Sequence, residues 1–332
     1  MNAPVYEANR RPPRKVPRQS TYSEFQKFIK TPKGTVLITL LVLMLFGLIH
    51  ASDRPGIVNI IVAMATASLI DWIVGKIRKN KRLIPDGGMI TGLIIGLILS
   101  DTVHWDVVAL TAGIAVASKH LLKIGRKPIF NPAAFALLFA LLVFHTGQSW
   151  WGDLADIPVI FLPVLLIGGF FITSRVNKFP QVLVYLGTSF LLMTLAALFH
   201  LGNAAYTPGD ALRVPLLNAT LFMAFFMLTD PPTSPGKDVQ QASFSILAAI
   251  ISAGVYLIFG GLSYLLIGLL VANAGHAYFS IRRKRAKVTQ QQEKLWEEEL
   301  QRRREHLERQ RERARQRVVQ SYEETEYQPE PQ

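Results

Sequence analysis

The chemistry open to this chain rests on three polar, helix-breaking clusters set into apolar sequence. Pro85-Asp86-Gly87-Gly88 leads to Thr91 and Gly92, Lys127-Pro128-Ile129-Phe130-Asn131-Pro132-Ala133 opens a further run, and Asn218-Ala219-Thr220 precedes Thr229-Asp230-Pro231-Pro232-Thr233-Ser234-Pro235. Such groups are costly at membrane depth unless they line a cavity or are buried in protein. There, helix N-termini and unpaired carbonyls could hold an anion, a cation or a flavin ring. Each cluster also has a plain structural use. Asn131-Pro132 suits an N-cap with proline in the first turn, and Asp230-Pro231 suits a helix stop. Together they single out Thr91, Asn131, Thr220, Asp230 and Thr233 as candidate binding residues.

Two of the clusters share a frame. Thr91-Gly-Leu-Ile-Ile-Gly-Leu-Ile-Leu-Ser-Asp101 and Thr220-Leu-Phe-Met-Ala-Phe-Phe-Met-Leu-Thr-Asp230 are both opened by threonine and closed by leucine, a hydroxyl residue and aspartate. One membrane unit carried twice would give this pattern, which points to an internally duplicated transporter or electron-transfer subunit.

Other ionisable residues add little chemistry. Asp71, beside Trp72, is an acid inside an apolar run and reads as snorkelling toward Lys76 or Arg78 rather than relaying protons. His50, His104, His145 and His200 sit at span ends as solvated groups. His120 and His276 lie deeper, where a bis-His haem is a weak alternative. The chain has no cysteine, which excludes Cys-ligated clusters, thiolate nucleophiles and disulfides. No phosphate loop, Ser/His/Asp set, His-Glu-x-x-His or paired-carboxylate pattern occurs, so soluble-type enzymology is not expected.

The elements that position these residues are membrane spans. Half of the 332 residues are hydrophobic although the net charge is +13, so apolar and basic residues are segregated. No glutamate occurs from Gly34 to Ile281. That region reads as ten runs: 34–50, 56–75, 84–100, 105–122, 129–144, 157–174, 179–199, 212–229, 240–259 and 261–280, long enough to cross ~30 Å of hydrocarbon. Lys76, Arg78, Lys79, Lys81, Arg82, Lys119, Lys123, Arg126, Lys127, Arg175, Lys178 and Lys237 fall on the N-terminal side, and Arg54 and Arg213 on the other. The positive-inside rule then places both termini in the cytoplasm. Asp53, Asp101, Asp106, Asp153, Asp156 and Asp210 fall on the far side, with Trp105, Trp150, Trp151 and Tyr206 as interfacial residues.

The expected fold is all-α and polytopic, about ten transmembrane helices in two inverted five-helix repeats, with halves at about 34–150 and 151–281 of a 34–281 membrane domain. Five is odd, so the second half enters from the opposite side. Residues 1–33 form a basic cytoplasmic tail of charge +6 with no signal peptide. Residues 282–332 form a charged, mostly helical tail with favourable pairs such as Glu298 with Arg302 and Glu305 with Arg309. Its Leu295, Trp296, Leu300, Leu307 and Val318 are too sparse for a heptad seam. Near-balanced charge and few aromatics argue against nucleic-acid binding.

With these clusters in view, the chain resembles the family containing the D subunit of the Rnf electron-transport complex and the B subunit of the sodium-translocating NADH:quinone oxidoreductase. The matching stretches are Asp86-Gly-Gly-Met-Ile-Thr-Gly-Leu-Ile-Ile-Gly-Leu, Phe130-Asn-Pro-Ala-Ala134, Ala219-Thr220 with Ala224-Phe-Phe-Met-Leu-Thr-Asp-Pro231, and Leu269-Leu-Val-Ala-Asn273. The resemblance implies a bacterial inner-membrane subunit with ten helices in inverted halves. It also implies flavin cofactors and partner subunits in a complex that couples electron flow to sodium or proton movement. Members of this redox type carry a Ser/Gly-x-Ala-Thr motif in a long loop after the fifth span, whose threonine takes FMN covalently. Here His145–Ile157 is short and lacks it, so the expectation is FMN or riboflavin held noncovalently, with no covalent FMN. A stand-alone carrier for a small solute such as a flavin is the alternative.

Overall fold

A computed structural model describes residues 28–50, 54–78, 85–154, 162–202 and 216–326. Lys79, Lys81, Arg82, Asp53, Asp156, Asp210, Arg213, Tyr206 and most of the basic N-terminal tail lie outside the described residues. Of the described residues, 82% are helical. Its helices are α1 (Pro32–His50), α2 (Arg54–Ile77), α3 (Asp86–Ile98), α4 (Trp105–Leu121), α5 (Pro132–Phe144), α6 (Leu162–Val176), α7 (Phe179–Leu198), α8 (Leu216–Phe222), α9 (Asp238–Phe259) and α10 (Ser263–Glu326). α8 continues directly as a π-helical turn, Met223–Leu228.

Five of these, α1, α2, α7, α9 and α10, contain stretches long and apolar enough to cross a membrane. The segments Asp86–Ile98, Pro132–Phe144, Leu162–Val176 and Leu216–Leu228 are apolar but shorter. At 13 residues, α3 and α5 each rise only about 20 Å. The runs expected over 84–100 and 129–144 are therefore helical over less of their length. Pro85 stands at the N-cap of α3, and Asn131-Pro132 fixes the start of α5. Between α4 and α5 the chain makes a small antiparallel hairpin, β1 (Lys123–Ile124) with β2 (Lys127–Pro128), turning at Gly125 in the left-handed region (φ 64°). Hydropathy gives no sign of it.

The tightest helix pair is α2 with α3, and glycine makes it possible. Gly88, Gly92 and Gly96 recur every four residues along one face of α3. A Cβ at Gly92 would lie 2.5 Å from the Ala63 carbonyl oxygen, and at Gly88 2.7 Å from that of Ala67. Backbones in this contact gain dispersion attraction that bulkier residues forbid, the main source of helix association where no water is expelled. The same glycines that resemble a binding motif thus build a helix crossing. On α6, Gly169 likewise faces the Phe225 ring and Gly168 faces Thr39 of α1.

The buried core draws on Leu40, Leu43, Leu93, Leu97, Leu137, Trp150, Tyr185 and Phe222, with Trp150 edge-on to Phe222. Many large apolar side chains point outward instead, among them Leu45, Ile61, Leu69, Phe170, Phe171, Leu183 and Ile258. In water this would be an aggregation surface; against lipid it is the expected lining.

The chain divides into two compact units, Met1–His276 and Ala277–Gln332. In the second, α10 remains helical through the charged sequence. The i,i+4 pairs Glu298–Arg302, Glu299–Arg303 and Glu305–Arg309 lie at 3.3–3.7 Å and are solvent-exposed. Each is worth a few tenths of a kcal/mol at most, about 0.3–0.5. Leu295, Trp296, Leu300 and Leu307 are also exposed.

Gly92→Ala should destabilise the detergent-purified protein by about 1–3 kcal/mol, the usual cost of overpacking. Gly187→Ala, where a Cβ meets nothing within 4 Å, should not. Thermal unfolding followed by size-exclusion recovery compares the two, and equal midpoints would refute the glycine crossing.

Candidate functional site

Three stretches far apart in sequence meet in one buried hydrogen-bond network. Asn131 caps α5, its Oδ1 accepting from the Ala134 N–H at 3.1 Å. Its Nδ2 donates to the Met227 carbonyl at 3.2 Å, and its own N–H donates to Asn273 Oδ1 at 2.9 Å. Asn273 Nδ2 in turn donates to the Thr233 carbonyl at 3.2 Å. Thr233 Oγ1 donates to Asp230 Oδ2 at 2.9 Å. Asn131, Thr233 and Asn273 are all buried. The Asn131 cap expected from sequence is present, and it also reaches across to the end of the π turn.

The π turn explains why an amide is needed there. Its i→i+5 bonding and the stop at Asp230-Pro231 free the last carbonyls of the helix. Met227 O is taken by Asn131, and Leu228 O by Gln181 Nε2 at 2.7 Å. After the stop, Ser234 Oγ and the Thr233 and Ser234 N–H groups donate to the Asp230 carbonyl. Lys178, 4% exposed at the start of α7, donates to Ser234 Oγ at 3.1 Å and to the Pro235 carbonyl.

Charge gathers at this end of the helices. Burial pushes the Asp230 carboxyl above its usual range, while the Thr233 hydroxyl and the ammonium groups of Lys33, Lys119 and Lys178 hold it down. Burial lowers Lys178 from its ordinary 10.5 to about 8, with Asp230 opposing the shift and Lys127 adding to it. Lys33 also pairs with Asp86 at 2.8 Å.

Asp71 reaches neither Lys76 nor Arg78, the partners its position in the sequence suggests. It accepts from Lys119 Nζ at 2.9 Å and the Gly88 N–H at 3.2 Å, and pairs with His120 Nε2 at 3.2 Å. Lys119 and His120 come from α4, which packs on α2, and the Gly88 N–H from the close α2/α3 crossing. Lys76 instead sits over the Trp72 ring. Arg78 Nη1 contacts His120 Nδ1 at 3.0 Å. A guanidinium can only donate, so His120 Nδ1 accepts and its proton sits on Nε2, facing Asp71. Both ring nitrogens are engaged, which leaves none for a haem iron. His276 stands edge-on to Phe244. Among the described residues, no group of three or more His, Asp or Glu is placed to hold a metal.

Of the five candidates, Asn131, Asp230 and Thr233 come together. Thr91 Oγ1 bonds back to the Gly87 carbonyl at 2.8 Å within α3. Thr220 lies ten residues from Asp230, about 15 Å up the helix. It donates to the Leu216 carbonyl at 2.7 Å and approaches Tyr264 Oη at 3.4 Å. There it lines a separate crevice with Tyr185, Ser189, Ser252 and Tyr256. Sequence reasoning passes over Asn273, Gln181 and Lys178 as site residues. The available signal is a lone amide inside an apolar run, as at Asn273, and a cation next to a helix start, as at Lys178.

For a flavin, the fit at Asp230 is one of charge. The amides of Asn131 and Asn273 already bond protein groups, whereas the surrounding lysine ammonium groups retain donors suited to an anionic phosphate or ring.

Residues 17–159 match the model of the NQR2, RnfD, RnfE family. No curated protein matches the chain. The matched stretch takes in α1 to α5, with the Asp86 and Asn131 clusters, and ends before Asp230 and Asn273. With its long apolar helices, the chain is an integral membrane protein.

Asn131→Ala removes the cap on the Ala134 N–H and leaves the Met227 carbonyl without its donor, while the backbone bond to Asn273 stays, and should cost about 2–4 kcal/mol of stability. Lys178 gives a pH signature. Between pH of about 8 and 10.5 the folded state binds fewer protons at Lys178 than the unfolded state, so stability rises with pH across that window. Lys178→Met should lose this rise. Thermal midpoints of both proteins at the two ends of the window test it, and parallel slopes would show that Lys178 stays charged.

Proposed function

We propose, for a chain whose residues 17–159 match the model of the NQR2, RnfD, RnfE family, that it is an Rnf D-like membrane subunit supporting electron transport coupled to transmembrane ion movement. The observation that carries this reading is the convergence of Asn131, Asp230, Thr233 and Asn273 in one buried network. Three of the stretches that bear the resemblance meet there.

An inverted repeat of two five-helix halves is part of the proposal. α1–α5 would correspond to α6–α10, and equivalent pairs pack in both halves: α2 on α4 and α7 on α9, α1 on α3 and α6 on α8. α1 also packs on its counterpart α6, a contact compatible with a two-fold relation between the halves. A buried amide near the start of the second helix does the same work twice. Asn59 Nδ2 donates to the Asp101 and Val103 carbonyls beyond α3, as Gln181 does to Leu228 at the end of the π turn. The gathering of Lys33, Lys119, Lys127 and Lys178 at one end supports a cytoplasmic placement of that end in a bacterial inner membrane, with both termini on the same side.

Noncovalent FMN or riboflavin at the Asp230 end belongs to the same reading; when bound, a flavin supplies one- and two-electron transfer. Lys33, Lys119 and Lys178 would neutralise and orient its anionic portion, and Asn131 and Thr233 would fix the loop and helix ends around it. Covalent FMN is not proposed, since His145–Ile157 lacks the attachment motif. Partner membrane subunits would supply and remove the electrons.

The repeated packing favours a second reading, a stand-alone carrier for a small solute such as a flavin working by alternating access.

An absorption spectrum of the purified protein before and after acid precipitation separates the two. Yellow colour released by acid is expected for the electron-transport subunit, with loss of most of it in Asp230→Asn. An Asn131→Ala/Asp230→Ala protein keeping full flavin content and transport would sink the site. Colourless protein that drives solute uptake in vesicles would select the carrier.

A further inference from the structure

The crevice between α7, α8, α9 and α10 gathers six hydroxyl side chains among the apolar Phe190, Met193, Leu216, Ala249 and Ala253. Tyr185 and Ser189 come from α7, Thr220 from α8, Ser252 and Tyr256 from α9, and Tyr264 from α10. Tyr185 is 0% exposed, Ser252 2% and Ser189 8%.

A serine within an apolar helix usually disposes of its proton by bonding the carbonyl four residues back. Thr220 does so. Ser189, Ser252 and Tyr185 have no hydrogen-bond partner in the protein, although the Tyr185 hydroxyl faces both serines. Three buried hydroxyls left this way would cost about 1–3 kcal/mol each. Gly268 packs against Ser252, which holds that hydroxyl at the crevice. Between the walls there is room for about one water molecule, and a site needs two to four polar partners to retain one.

We propose that this crevice is an internal hydration site, in which an ordered water is held by the hydroxyls of Tyr185, Ser189 and Ser252. The ligand is an uncharged molecule that both donates and accepts. Each hydroxyl offers one proton and two lone pairs, which matches water. An alkali cation would use only the lone pairs, and no carboxylate lines the wall to offset its dehydration. The site adds a water-mediated link between α7 and α9 to the direct bond from Ser245 Oγ to the Gln181 carbonyl at 2.7 Å. It stands independently of the electron-transport and carrier readings.

X-ray radiolytic footprinting of the full chain in detergent tests this, because residues beside a bound water gain oxygen even when bulk solvent cannot reach them. Tyr185 should be oxidised roughly ten-fold faster than Phe222, which is equally buried but does not line the crevice. Ser189→Val, which fills the space, should bring Tyr185 down to the Phe222 rate. A Tyr185 rate equal to that of Phe222 in the unsubstituted protein would overturn the proposal whether or not the variant folds. So would a fast Tyr185 rate that survives Ser189→Val. Fast oxidation in choline chloride that is lost in sodium chloride would assign the crevice to a cation and equally overturn it.

Discussion

Backbone carbonyls freed where helices break have to be paired inside the protein, since lipid offers them nothing. Pairing each of them costs little if a side-chain amide is at hand and several kcal/mol if none is. Asn59, Asn131, Gln181 and Asn218 all serve this purpose, donating to carbonyls of residues 101 and 103, 227, 228 and 154 respectively. These contacts reach across 42 to 96 residues of chain. The breaks therefore decide which helices must be neighbours. α5 has to bring its N-terminus to the end of the π turn, and α7 has to start beside the same turn.

The second ordering force is charge. Asp71 and Asp86 sit near one end of the α2/α3 pair, and each has a lysine at 2.8–2.9 Å. Asp230 has no lysine so close; it is held by Thr233 and lies in the combined field of three. A carboxylate stabilised by several distant cations is easier to perturb than one in a direct pair, because no single contact must be broken. Of the three acids, Asp230 is thus the one best suited to respond to an arriving charge.

Much of this is legible in the sequence. The helix starts at Asn131-Pro132 and Phe179-Pro180, the stop at Asp230-Pro231 and the helical tail can be read from capping and composition alone. Asn131, Asp230 and Thr233 stand out because polar residues in apolar runs are conspicuous. Thr220 and Thr91 stand out by the same rule, but threonine can satisfy itself on its own helix, and both do. The partners of Asp71 are not legible. They come from α4 and from the start of α3, and depend on how both helices pack on α2, which spacing along the chain does not report. The α4–α5 hairpin escapes because two-residue strands carry no periodicity.

The π turn also sets the stretch from Thr220 to Asp230 apart from the one from Thr91 to Asp101, which shares its frame. Residues 91–98 complete α3 as ordinary α-helix, whereas the corresponding letters from Met223 to Leu228 wind with a wider turn. A π turn accommodates one additional residue, so the chain beyond it is rotated by about 100° from where an unbroken α-helix would aim it. Asp101 and Asp230 are then equal in spelling and unequal in direction. A single local change of winding thus sends two stretches of like spelling toward different exits.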